Sequence, residues 1–153
     1  MDTSQLQQMS AIRRDVIVRW LVPERVIFVS AEGKINPAVR DWMNARIDYL
    51  MHSCATPQVH LIGDVSRMSY MTMSSITSPS PVLRHPRRGW FFSVGASQNR
   101  LIRGLLACIA WIMTLKYRDC ATLAEALTEL QNLDATLPNL QAYQSDSTLE
   151  QDK

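Results

Sequence analysis

Five short strand-type runs, the first two rich in β-branched and aromatic residues, are interspersed with stretches whose apolar residues recur every three or four positions. Strand-type and helix-type periodicity in that order limits the fold more than any other feature, because each helix has to carry the chain back to a neighbouring strand. The strand-type runs are DVIVRWL (Asp15 to Leu21), RVIFVSA (Arg25 to Ala31), VHLIGDV (Val59 to Val65), GWFFSVG (Gly89 to Gly95) and KYRDC (Lys116 to Cys120). Only Val22-Pro23-Glu24 separates the first two, which fits a hairpin, and Gly33 is read as the end of the second.

The helical stretches carry their own start signals. Asn36 followed by Pro37 supplies a capping side chain and then a residue whose missing N–H costs nothing in a first turn. From there to about Ser53, Val39, Trp42, Met43, Ile47 and Leu50 fall on one face, and Ala55-Thr56-Pro57 ends the pattern. A second helix is expected from about Gln98 to Leu115, with Ser97 or Asn99 as its cap. A third runs from Thr122 to about Leu133, where Thr122 and Glu125 read as a capping box and Leu123, Ala126, Leu127 and Leu130 form a stripe. The Ser/Met/Thr-rich stretch from Ser66 to Pro81 lacks clear periodicity and is expected to be a long loop with at best a short helix.

These elements imply one α/β layered domain over residues 15–137. Its sheet is four- to five-stranded, mixed but mostly parallel, opens with an antiparallel hairpin and carries three to four helices. Residues 1–14 read as a polar lead and 138–153 as a disordered polar tail. The chain of 153 residues is long enough for one core without metals or disulfides. Cys54, Cys108 and Cys120 are odd in number and outside any C-x-x-C spacing, which argues for reduced thiols and a cytoplasmic location. GLLACIAWIMTL, from Gly104 to Leu115, falls short of a membrane span and reads as a core helix.

No G-x-S-x-G elbow, Walker-type loop or G-x-G-x-x-G turn occurs, so the sequence does not read as an enzyme, and no cofactor is expected. His52, His60 and His85 show no metal-ligand spacing along the chain, and no metal is expected; His60, inside an apolar run, reads as a satisfied structural histidine. Asp64 ends a central strand and is read as the cap of the turn that follows. The charge distribution is more telling. A net charge of +2 conceals a segment, Val82 to Arg118, with Arg84, Arg87, Arg88, Arg100, Arg103, Lys116 and Arg118 and no acid. Arg87, Arg88, Ser97, Arg100 and Arg103 are the candidate anion-binding residues, the last three beside a strand-to-helix turn. Loss of Arg87 and Arg88 together is expected to leave the melting temperature nearly unchanged; unfolding by that double substitution would make the pair structural. Trp90, Phe91 and Phe92 are expected to point into the core rather than to stack on bases, which makes nucleic acid an unfavourable partner.

The succession HLIGDVS, LRHPRRGWFFSVG, NRLIRGLLA, KYRDC and TLAEALTEL resembles the STAS group, the sulphate-transporter and anti-sigma-factor-antagonist domains. It is most similar to bacterial STAS-like proteins with an RHP-x-x-GW segment, over about Asp15 to Leu133. That resemblance implies a non-enzymatic regulatory module that binds a partner protein or itself through the face around Ser66 to Leu83, with Ser66, Ser74, Ser75 and Arg84 as candidate partner-binding residues. In the antagonists an aspartate precedes a phosphorylatable serine at the next helix start. Here Thr72 and Met73 stand in those places and Ser74 lies one residue on, so the switch does not carry over directly. STAS domains also share their layout with the CRAL-TRIO lipid-binding fold, so the alternative is an anionic small-ligand or membrane-surface binder using residues 84–118. The apolar helix Leu101 to Leu115 with Trp111 is a second candidate contact, including for a homodimer, because an end helix of a small sheet is not always covered on both sides.

Overall fold

A computed structural model of the chain describes residues 16–71 and 80–144. The residues 1–14 read as a polar lead, the candidates Ser74 and Ser75, and the end of the expected tail from 145 lie outside the described residues. Strands β1 (Val16–Val22) and β2 (Val26–Ala31) form the expected antiparallel hairpin. A short strand β3 (Gly33–Ile35) leads to helix α1 (Pro37–Ser53), whose Asn36 side chain accepts from the Val39 amide at 2.9 Å. Strands β4 (Val59–Asp64) and β5 (Met68–Met71) precede β6 (Arg88–Val94), helix α2 (Arg100–Ile112), strand β7 (Lys116–Cys120) and helix α3 (Leu123–Leu133).

The main sheet has the order β1-β2-β4-β6-β7, and every pair after the hairpin is parallel. Both faces are covered, as parallel strands require. On one face Ile27, Val29, Val59 and the half-buried Leu61 and Phe91 meet Ile47, Leu50 and Met51 of α1 and Ile102 and Leu106 of α2. On the other, Val26, Phe28, Ile62 and Phe92 meet Ala126, Leu127 and Leu130 of α3. The alternation Phe91/Phe92 sends adjacent rings to opposite cores. Trp90 packs with Phe92 at 6.3 Å between ring centroids, so the aromatic run is core material.

Three expectations change. Met68–Met71, expected as loop, is a strand paired in parallel with β3 in a second, two-stranded sheet, so Gly33 opens a strand instead of ending one. Helix α2 is shorter than its apolar text. Ala96–Gln98 forms a 3-10 turn entered through Gly95 at φ 76°, so Asn99 and not Ser97 is the cap, accepting from the Leu101 and Ile102 amides at 3.1 and 3.3 Å. At its other end Thr114 turns left-handed at φ 52° and the Leu115 amide closes back on Ala110 at 2.9 Å. Residues 138–144, expected to belong to the tail, are packed instead: Leu140 is completely buried in the α3 core and Tyr143 packs against it. Among the described residues no helix is long and apolar enough to cross a membrane.

Candidate functional site

The cationic segment is divided by the strand that runs through it. Arg84, Arg87 and Arg88 lie where β6 begins, opposite Val59, whereas Ser97, Arg100 and Arg103 follow its end, where Val94 faces Asp64. A strand of this length holds the two groups about 20 Å apart. The candidate anion-binding residues therefore do not converge.

Several of those arginines also have internal work. Arg87 donates through Nη1 to the carbonyls of Met51, at 3.0 Å, and Cys54, satisfying the end of α1. Arg88 donates to the carbonyl of Leu83. Arg103 faces the Asp119 carboxylate at 3.2 Å, and Arg118 lies over the Trp90 ring and 3.9 Å from Glu129. Arg84, Arg100 and Lys116 are exposed and make no ion pair among the described residues. The turn before β6 is a joint, and two of its three arginines are part of the fastening.

Two buried polar chains hold the strands to their neighbours. His60 is 1% exposed; its Nδ1 accepts from the Trp90 amide at 3.0 Å, so the proton is on Nε2, which donates to Asp134 at 3.0 Å. Asp134 also accepts from Arg25 at 2.9 Å and from the Thr136 amide and hydroxyl at 3.0 and 2.6 Å. Burial lowers the His60 pKa more than its bond to Asp134 raises it. Burial would raise the Asp134 carboxyl, but the bonds from Thr136 and His60 and the charge of Arg25 outweigh it and hold the group well below the usual carboxylate range. Gly89 makes room for this arrangement, because a Cβ there would stand 2.5 Å from His60 Nδ1. With both ring nitrogens occupied, His60 is structural.

The second chain is Ser93, Tyr117, Asp119 and Arg103. The buried Ser93 hydroxyl lies 2.7 Å from the Tyr117 hydroxyl and donates to Asp119 at 2.8 Å. Burial raises the Tyr117 phenol, and burial likewise pushes the Cys120 thiol up to about 12, which leaves it a protonated core residue. All three cysteines are free, with Cys54 and Cys120 buried and Cys108 exposed.

At the carboxyl ends of the strands, Asp64 caps its turn by accepting from the Ser66 amide at 2.9 Å and hydroxyl at 2.6 Å. Ser66 is exposed there beside Gly95, where a Cβ would come 2.5 Å from that of Ser66. This edge adjoins Ser97 and the start of α2. A largely apolar cavity of about 140 Å³ lies between α1, α2 and the sheet, bounded by Ile47, Leu61, Val82, Phe91 and Leu106.

Among the described residues the most exposed apolar surface is the outer side of α2. Ile102, Leu106 and Ala110 are buried at four-residue spacing, while Leu101, Cys108, Trp111 and Ile112 are exposed on the side turned away from the sheet and Leu105 is half-buried. Leu101 is 75% exposed, Ile112 61% and Trp111 82%. Arg100 and Lys116 flank this stripe, and the helix holds no acid. The sequence suggested that face through Trp111, but the extent of its exposure depends on which stripe meets the sheet.

No protein-family model and no curated protein sequence matches the chain. Solved structures do match in three dimensions. An uncharacterized protein of the DUF3478 family with a SpoIIAA-like fold, from Shewanella loihica PV-4, is 13% identical over 75% of this chain and 91% of its own, at a TM-score of 0.56. The anti-sigma factor antagonist SpoIIAA in its unphosphorylated form is 14% identical over 76% of this chain and 96% of its own, at a TM-score of 0.53. The chain thus has the SpoIIAA-like α/β fold, the STAS architecture that the sequence resemblance implied. At these identities the likeness defines the fold and leaves function to the surface.

Proposed function

We propose that this chain is a non-enzymatic regulatory module of the anti-sigma-factor-antagonist type that works by binding a protein partner. The observation that carries the proposal is the outward apolar stripe of α2, with Leu101, Trp111 and Ile112 exposed. A soluble domain leaves an aromatic-bearing stripe of this kind uncovered when another molecule covers it. Its cationic flanks, Arg100 and Lys116, favour an acidic partner over a second copy, because a two-fold contact would set like charges against each other. Ser66 and Ser97, at the same edge of the sheet as the start of α2, extend the contact. Ser74, Ser75 and Arg84 belong to the proposal as further partner-binding residues, and the three free thiols fit a cytoplasmic setting.

The anionic-surface alternative draws less support, since its cations are divided between two edges and several are engaged within the domain. Recovery of the tagged chain from its source cells, in parallel with Trp111→Asp, tests the proposal. The wild type should retain a stoichiometric acidic protein that Trp111→Asp loses while keeping its melting temperature. A partner held equally by both proteins, or light scattering that finds only a self-associated dimer, would overturn it.

A further inference from the structure

A histidine and an aspartate one turn apart near the end of α1 meet a histidine from the turn before β6. One ligand atom from each of Asp48, His52 and His85 lies within 4.8 Å of the others. The two imidazole rings stand edge to face, at 89° with centroids 4.6 Å apart. We propose that Asp48, His52 and His85 form a binding site for a borderline divalent transition-metal ion of the Zn²⁺ class. Two imidazoles and a carboxylate are the nitrogen and oxygen donors that such ions select.

The state of His85 points to a ligand. It is only 7% exposed, and its Nδ1 accepts from the Arg87 amide at 3.2 Å. Its Nε2 is buried and has no hydrogen-bond partner among the described residues. A buried nitrogen left without a partner is costly, and beside it stand Asp48 and His52, whose Nδ1 lies 2.9 Å from the Asp48 carbonyl and 3.4 Å from its carboxylate. Those two are the exposed members: the His52 side chain is 66% exposed and that of Asp48 37%. Zn–N bonds of about 2.0–2.1 Å place neighbouring ligand atoms roughly 3.3 Å apart, so the site closes by rotation of exposed side chains around a fixed His85. Exposure on that side leaves a fourth position to water.

Ligation has a defined proton balance. The ion takes the Nε2 lone pair, and the ring proton moves to Nδ1, facing the Arg87 amide. The 3.2 Å bond, at the long limit for its kind, is lost and the Arg87 amide has to turn away from the new Nδ1–H. Bound metal would tie the end of α1 to the turn that enters β6. Spacing along the sequence conceals the site, because His85 reaches Asp48 and His52 only through the fold.

Isothermal titration of ZnCl₂ into the full chain, freed of metal by chelator and kept reduced, tests this inference. The expected result is one ion per chain, with affinity reduced about tenfold or more in both His52→Ala and Asp48→Asn. Both variants alter exposed side chains and should melt with the wild type in the absence of zinc. Glu125→Gln, which alters the second group of ligand-type residues, Cys120, Glu125 and Glu129, should bind as the wild type does. Absence of zinc binding, binding unchanged in His52→Ala and Asp48→Asn, or binding lost in Glu125→Gln would each overturn the inference.

Discussion

At the residue scale the domain depends on a few polar side chains that finish hydrogen bonds left open by the backbone. Arg87 is the clearest correction to the sequence reading. Placed in a basic motif, it was expected to be dispensable for stability, yet it satisfies the Met51 and Cys54 carbonyls at the end of α1. Arg87→Ala should therefore cost roughly 1–3 kcal/mol in denaturant unfolding, in line with charged hydrogen-bond donors. His60 and Asp134 set the acid response. Both have folded pKa values below their unfolded ones, so the unfolded chain binds more protons as pH falls through those intervals. Their stability contribution is complete above the ordinary histidine value and declines below about pH 6.5, by at most about 1.4 kcal/mol per pH unit for one proton. His60→Gln should remove the first part of that decline, and an unchanged profile between pH 6.5 and 5 would contradict the assignment. Caps such as Asn36 and Thr122 are legible in the sequence because they act within one turn. Asp134 is not, since it meets His60 across 74 positions of chain.

At the scale of elements, periodicity located all five strands of the main sheet and, among the described residues, the three α-helices, because each buries one repeated face or two. It missed β3 and β5, whose three- and four-residue lengths are too short to show a pattern and which are defined only by pairing with each other. It also overran α2, whose apolar text continues to Leu115 while the backbone turns at Thr114. That turn places a β-branched residue at φ 52°, where glycine is at ease. Thr114→Gly should stabilise the domain by about 1 kcal/mol, measurable as a raised denaturation midpoint with unchanged slope. A destabilised variant would show that the Thr114 side chain contributes more than its backbone costs.

For the whole molecule, layered α/β architecture followed from the order of elements, whereas the site did not. Seven cations adjacent in sequence are parted in space because β6 lies between them, and its length sets their separation. The candidate surface instead arises on α2, where burial of Ile102, Leu106 and Ala110 turns Leu101, Trp111 and Ile112 outward. The most direct test is amide hydrogen exchange of the chain alone and in complex with the partner recovered from its source cells. Protection on binding should concentrate in residues 99–113, with lesser protection around Ser66. Unchanged exchange in α2, with protection confined to α3 or the β1–β2 hairpin, would contradict the central claim.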